Sequence, residues 1–129
     1  MLILKWLWFF TIPWVPTPVA SATPIQWGES VDRWYPIVEI ALESYGIEDQ
    51  ISTFMRVMHC ESRGDPYALH PESKASGLMQ HLQRYWPERA EAIGMPNYSP
   101  FDPVANIFTS AWLLTTRGGG WTHWSCYGL

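Results

Sequence analysis

Between Asp49 and Ser62 the chain reads DQISTFMRVMHCES, and Ile51, Phe54, Met55 and Met58 recur at spacings of three and four. That period belongs to a helix with one face turned to a core. Extending the stripe by three lands on Glu61, an acid where another apolar side chain is due. A carboxylate on the buried face of a helix loses hydration, which favours its neutral, proton-holding form. Asp49 is the expected N-cap of this helix, since a short side-chain oxygen there satisfies a first-turn N–H.

Other helices are marked by their ends. Residues 36–45 read PIVEIALESY, with Pro36 in the first turn and Gly46 as the stop. Gly64 to Ser76 reads as a loop with Asp65-Pro66 and His70-Pro71 turns, and a helix or short helical turn is expected from Ser76 to about Tyr85. PERAEAI over 87–93 is a short helical piece ended by Gly94. Asp102 as N-cap and Pro103 at the first position open the last helix, whose stripe is Val104, Ile107, Phe108, Ala111, Trp112 and Leu114. Gly118-Gly119-Gly120 ends it. No segment alternates cleanly enough for a strand, so the domain is expected to be mainly α.

Residues 1–22 set the compartment. One early lysine, an apolar run and Ala20-Ser21-Ala22 have the order of a secretory leader, with cleavage predicted after Ala22. Prolines at 13, 16 and 18 break the run and leave it short for a spanning helix, so no stable membrane insertion is expected after cleavage. Residues 23–33 then form a lead-in, and 34–129 one small domain. In an exported chain Cys60 and Cys126 read as a disulfide, closing a loop of roughly 65 residues and contributing about 4 kcal/mol in the chain-entropy account. The bridge would tie the C-terminal tail to the residue beside Glu61.

The full chain carries a formal charge of −4, and loss of Lys5 with the leader makes it more negative by one unit. A nucleic-acid partner would want a basic stripe, and none is present. His59 and Glu61 form an H-x-E pair without the P-C-x-x-C partner of zinc deaminases. His70, His81 and His123 have no ligand spacing such as H-E-x-x-H, so neither metal nor cofactor is expected. A disulfide removes Cys60 as a nucleophile. Six tryptophans follow the leader: Trp27, Trp34, Trp86, Trp112, Trp121 and Trp124. They suit an aromatic core, expected for Trp112, or a groove that stacks sugar rings; Trp121 and Trp124 in the Gly-rich tail fit either, and Trp121 is taken as the groove residue. A buried acid beside such a groove points to glycoside cleavage, where a carboxyl held neutral protonates the leaving oxygen. The usual hydrolytic routes need a second carboxylate, for which Asp65, Glu72 and Asp102 are available without any being marked by spacing.

Cys60-Glu61-Ser62-Arg63-Gly64-Asp65-Pro66, then Ala68, then Ser76-Gly77-Leu78-Met79-Gln80 resembles the transglycosylase SLT family, whose signature is E-S-x-G-x-P-x-A followed by G-L-M-Q. Phe101-Asp102-Pro103-Val104-Ala105-Asn106-Ile107 is similar to the family's D-P-x-x-N-I helix start. The tail's Gly-Trp-x-x-Trp-Ser-Cys resembles the ending of secreted actinobacterial members. The likeness runs from about Trp34 to Cys126. It implies an α+β lysozyme-like fold and cleavage of the β-1,4 bond between N-acetylmuramic acid and N-acetylglucosamine in peptidoglycan. By position it makes Glu61 the catalytic acid and then base, with Ser62, Met79 and Gln80 lining the groove. The product it implies is a 1,6-anhydro sugar, formed when the muramic 6-hydroxyl replaces water. The chain departs from the pattern after Gln80, where His81 and Gln83 replace an apolar residue and a proline, and it lacks the A-Y-N-x-G segment whose Tyr assists the acid. Resuscitation-promoting factors share the Cys-Glu-Ser and the tail Trp-x-x-Trp, but G-L-M-Q and D-P-x-x-N-I make SLT the nearer resemblance. The expectation is therefore a secreted, cell-wall-associated monomeric enzyme acting on peptidoglycan glycan strands. A hydrolysing muramidase on the same fold and a non-catalytic peptidoglycan-binding protein are the alternatives.

Overall fold

The computed structural model describes residues 13–14, 26–116 and 118–129. The predicted leader, apart from 13–14, lies outside the described residues. Among the described residues four helices are long enough to pack, and the first of them begins where Pro36 predicted. They are α2 (Tyr35–Ser44), α3 (Ile51–Ser62), α4 (Trp86–Ala92) and α5 (Pro103–Thr115), preceded by a single turn, α1 (Glu29–Asp32). One two-stranded antiparallel sheet joins β1 (Ala75–Ser76) to β2 (His81–Leu82), pairing Ala75 with Leu82 and Ser76 with His81. The domain is thus α-rich with a small sheet, as expected for the fold class.

Helix α3 carries the predicted stripe into the core: Phe54, Met55 and Met58 are buried, and Val57 joins them. Its start differs from expectation. A 3₁₀ turn over Glu48–Gln50 leads in, and Gln50 occupies the cap position without a side-chain capping bond, so Asp49 caps nothing. The Gln50 N–H already donates to the Ile47 carbonyl at 3.0 Å, and such i→i+3 bonds meet donors that a cap would otherwise serve. At the other end Arg63 turns left-handed at φ 56° and Gly64 follows at φ 76°. A Cβ on Gly64 would strike the Ser30 backbone, so only glycine lets the end of α3 lie against α1. Trp34 Nε1 donates to the Gly64 carbonyl at 3.0 Å across the same joint.

Residues ahead of Trp34 join this packing. Val31 is fully buried, and the buried Asp32 carboxylate accepts the N–H groups of Gln26 at 3.0 Å, Trp27 at 3.2 Å and Gly28 at 3.0 Å.

Helix α5 is the central element. Asp102 Oδ1 accepts from the Ala105 N–H at 2.9 Å and Pro103 stands in the first turn, both as expected. The expected stripe faces the core except at Val104, but burial extends well beyond it. Ala105, Asn106, Ile107, Thr109, Ser110, Ala111 and Leu113 are all inside, Val104 is 39 % exposed, and Phe108, Trp112 and Leu114 are partly buried against the core. A helix packed against α2 on one side and α4 on another is enclosed over more than one face, so single-face periodicity understates it.

The largest departure is the segment from Ser76 to Tyr85, expected as a helix or helical turn. It is a hairpin turn closed by Gly77 to Gln80, and only Gln83–Tyr85 is helical, as one 3₁₀ turn. Gly77 and Gln80 have φ 80° and 54°, which a continuous right-handed helix does not permit. The reason lies 27 residues away. Asn106 Oδ1 accepts the Met79 N–H at 2.9 Å, while Nδ2 donates to the Ser76 carbonyl at 3.2 Å and the Pro100 carbonyl at 2.8 Å. A side chain reaching from α5 satisfies the turn's backbone, and the fully buried Leu78 and Met79 anchor it in the core.

Candidate active site

Glu61 sits in the last turn of α3, half-buried, at one side of a cleft of about 370 Å³. His70, Ser73, Ala75, Gln80 and Leu82 come to the same cleft from the loop and the hairpin, and His123, Trp124 and Ser125 come from the tail. Burial lifts the Glu61 carboxyl above the usual carboxylate range, and a hydrogen bond from the Cys126 backbone N–H pulls it partly back. Among the described residues that line the cleft, Glu61 is the one carboxylate. Asp65 Oδ1 instead accepts the Tyr67 N–H at 2.9 Å, Glu72 is exposed and outside the cleft lining, and Asp102 caps α5.

Two very different attachments hold the walls. The tail wall is tied to α3 by the Cys60–Cys126 disulfide, with 5.9 Å between Cα atoms, as expected from the exported pair. Arg56, one turn earlier on α3, donates to the backbone oxygens of Cys126 at 3.4 Å, Tyr127 at 3.2 Å and Leu129 at 3.2 Å. Together these bring the Cys126 N–H to Glu61.

The hairpin wall rests on a buried polar chain. Arg89 Nη1 lies 3.0 Å from His81 Nδ1, and His81 Nε2 lies 2.7 Å from Ser110 Oγ. A guanidinium only donates, so Nδ1 accepts and Nε2 carries the proton of a neutral ring. Ser110 Oγ in turn donates to the Asn106 carbonyl at 2.8 Å. Full burial, with Arg89 beside it, pushes the His81 pKa down to about 3. His81 therefore places a buried neutral imidazole behind the cleft. Trp124 bridges the two walls: its indole N–H donates to the Met79 carbonyl at 2.8 Å, and its ring meets His81 edge-on at 6.2 Å.

The residues expected at the site divide. Glu61 and Gln80 line the cleft; Gln80 Nε2 also braces the turn, donating to the Ala68 and Gly77 carbonyls at 3.1 and 3.0 Å. Ser62 is buried, its hydroxyl donating to the Met58 carbonyl at 3.3 Å and accepting from the Gly64 N–H at 3.1 Å, so it closes the end of α3. The Met79 side chain is fully buried and packs the core; its contribution to the cleft is the carbonyl that holds Trp124. Trp121 stands apart. Its N–H donates to Gln50 Oε1 at 2.8 Å, its ring stacks on Tyr127 at 5.6 Å, and it lines a separate groove with Ile47 and Leu114. The cleft's aromatic is Trp124, three residues on. His70, His123 and Ser125 were not expected there; their sequence offers only loop positions, with no period to mark them.

Comparison with known protein families matches residues 37–127 to the Transglycosylase SLT domain. A search of the curated proteins gives no match. The matched span includes Glu61, the hairpin, all of α5 and the tail through Cys126, so the elements that build the cleft are those that the family describes. The chain belongs to the transglycosylase SLT domain family, whose members act on the glycosidic bonds of peptidoglycan.

Proposed function

We propose that this protein is a lytic transglycosylase that cleaves the β-1,4 bond between N-acetylmuramic acid and N-acetylglucosamine, with Glu61 as acid and then base. The observation that carries this reading is that Glu61 is, among the described residues, the one carboxyl lining the cleft, with its pKa raised by burial. A proton-holding Glu61 donates to the leaving glycosidic oxygen. The resulting carboxylate then takes up the proton released when the muramic 6-hydroxyl closes on the anomeric carbon, giving a 1,6-anhydro end. One carboxyl suffices for this route, whereas hydrolysis by the usual routes engages a second. The disulfide and the predicted leader support work outside the cell, at the wall.

Digestion of purified peptidoglycan followed by mass analysis tests the reading. Anhydro ends, one water lighter than hydrolysed ends, are expected from the wild type. Hydrolysed ends alone would make the protein a muramidase. Glu61→Gln is expected to lower turnover by about 10³-fold or more while the chain stays folded; a variant that cuts like wild type would leave only a binding role. Because the acid must hold its proton, activity is expected to fall as pH rises through the raised Glu61 pKa.

A further inference from the structure

His123 enters the same cleft as Glu61, from the tail, with its ring edge-on to Trp124 at 6.0 Å and 83°. The cleft's other histidine is committed: His70 Nδ1 accepts the Ser73 N–H at 3.2 Å. Behind the cleft His81 is held at both nitrogens. No hydrogen bond engages the His123 imidazole among the described residues. The titratable and charged groups around it are Arg89 from α4, His81 from β2, Glu61 from α3 and His70 from the loop. The His123 ring is exposed in the cleft, yet the desolvation it does meet there and the Arg89 charge hold its pKa below the ordinary histidine value, so the ring is neutral near pH 7 and keeps a lone pair.

We propose that His123 is a second catalytic residue of this cleft, relaying to the Glu61 carboxylate the proton of the hydroxyl that closes on the anomeric carbon once the leaving oxygen has departed. The proposal rests on the transglycosylase reading and deepens it. In the step, the bond from the anomeric carbon to the leaving oxygen breaks, and that oxygen takes the Glu61 proton. The bond from the 6-oxygen to the anomeric carbon forms, and the proton of that hydroxyl goes to the unprotonated nitrogen of His123. The imidazolium then returns a proton to the Glu61 carboxylate, which restores both groups with no net change. The chain lacks the tyrosine-bearing segment that assists the acid in the pattern it resembles, and His123 supplies a polar group to the cleft that holds the acid.

The test is the pH dependence of kcat/KM on purified glycan strands for wild type, His123→Gln and His123→Ala, with free imidazole added to the last. A closed disulfide by mass and an unchanged melt establish that each variant is folded. The expected wild-type profile has an acid limb, from protonation of His123, and an alkaline limb, from ionisation of Glu61. His123→Gln is expected to lose about 10²-fold at neutral pH and to lose the acid limb alone. Imidazole is expected to restore part of the activity of His123→Ala and none of Glu61→Gln. Activity of His123→Gln within about threefold of wild type, an acid limb that persists in it, or no response of His123→Ala to imidazole would each overturn the proposal. A wild type that releases no glycan fragments sinks the enzyme reading itself, a result distinct from histidine variants that cut normally.

Discussion

The two walls beside Glu61 are built on opposite principles. The tail wall is fastened from outside, by a covalent bridge and by Arg56 on partly exposed backbone oxygens. The hairpin wall is fastened from inside, by Asn106, Ser110, His81 and Arg89 in a chain where every bond compensates a group removed from water. An interior network is worth little per bond but costly to break, because each orphaned group carries its full desolvation penalty. A covalent clasp acts mainly on the unfolded chain and leaves the native contacts around it intact when it is cut. The difference teaches that the same cleft should fail in two distinguishable ways.

The largest expected effect falls on the hairpin wall. Asn106→Ala removes three hydrogen bonds at once and leaves the Met79 N–H and the Ser76 and Pro100 carbonyls without that partner. At about 1–3 kcal/mol for each orphaned group, a loss of about 5 kcal/mol is expected, or at least about 20 °C in melting temperature for a domain of this size. A melt lowered by only a few degrees would show that the turn holds itself, and the contrast between the walls would collapse.

The sequence told these walls apart only in part. Helix α3 with its misplaced acid, the cap of α5 and the cysteine pair were legible because each is written in local spacing or residue count. The hairpin was not. A glycine, two apolar residues and a glutamine suit a helical turn as well as a β-turn, and the deciding partner, Asn106, lies 27 positions from Met79. Trp121 and Trp124 were indistinguishable in the tail for a similar reason. Which ring faces the cleft depends on the Met79 carbonyl and on Gln50, partners that no local pattern reveals.

On the tail wall, the paired change Cys60→Ser with Cys126→Ser is expected to cost about 4 kcal/mol, since the bridged residues are 66 positions apart. The hairpin should stay in place, so amide exchange at Met79 and Gln80 is expected to remain slow while exchange at Cys126 and Tyr127 quickens. Equal quickening in both walls would mean that they form one cooperative unit, and the comparison would then be void.

The smallest effect is the most informative about chemistry. Arg56→Met keeps the stem that packs along α3 and removes the three donors to the tail, at a cost of about 1 kcal/mol for bonds this exposed. With the tail loosened but still bridged, the Cys126 N–H presses less on Glu61, and that hydrogen bond is what lowers its pKa. The alkaline limb of activity should therefore move to higher pH in Arg56→Met. Stability carries the same sign. A carboxyl whose folded pKa lies above its unfolded value binds more protons when folded, so its contribution is complete at pH below the unfolded value and fades as pH rises through the folded one. Arg56→Met extends that fading to higher pH, whereas Glu61→Gln, with no proton to lose, removes it. Melting curves across pH 4–9 for wild type and both variants check this. An alkaline limb that stays fixed in Arg56→Met would mean that the disulfide alone presents Cys126 to the acid, and that the arginine only tethers the last residues of the chain.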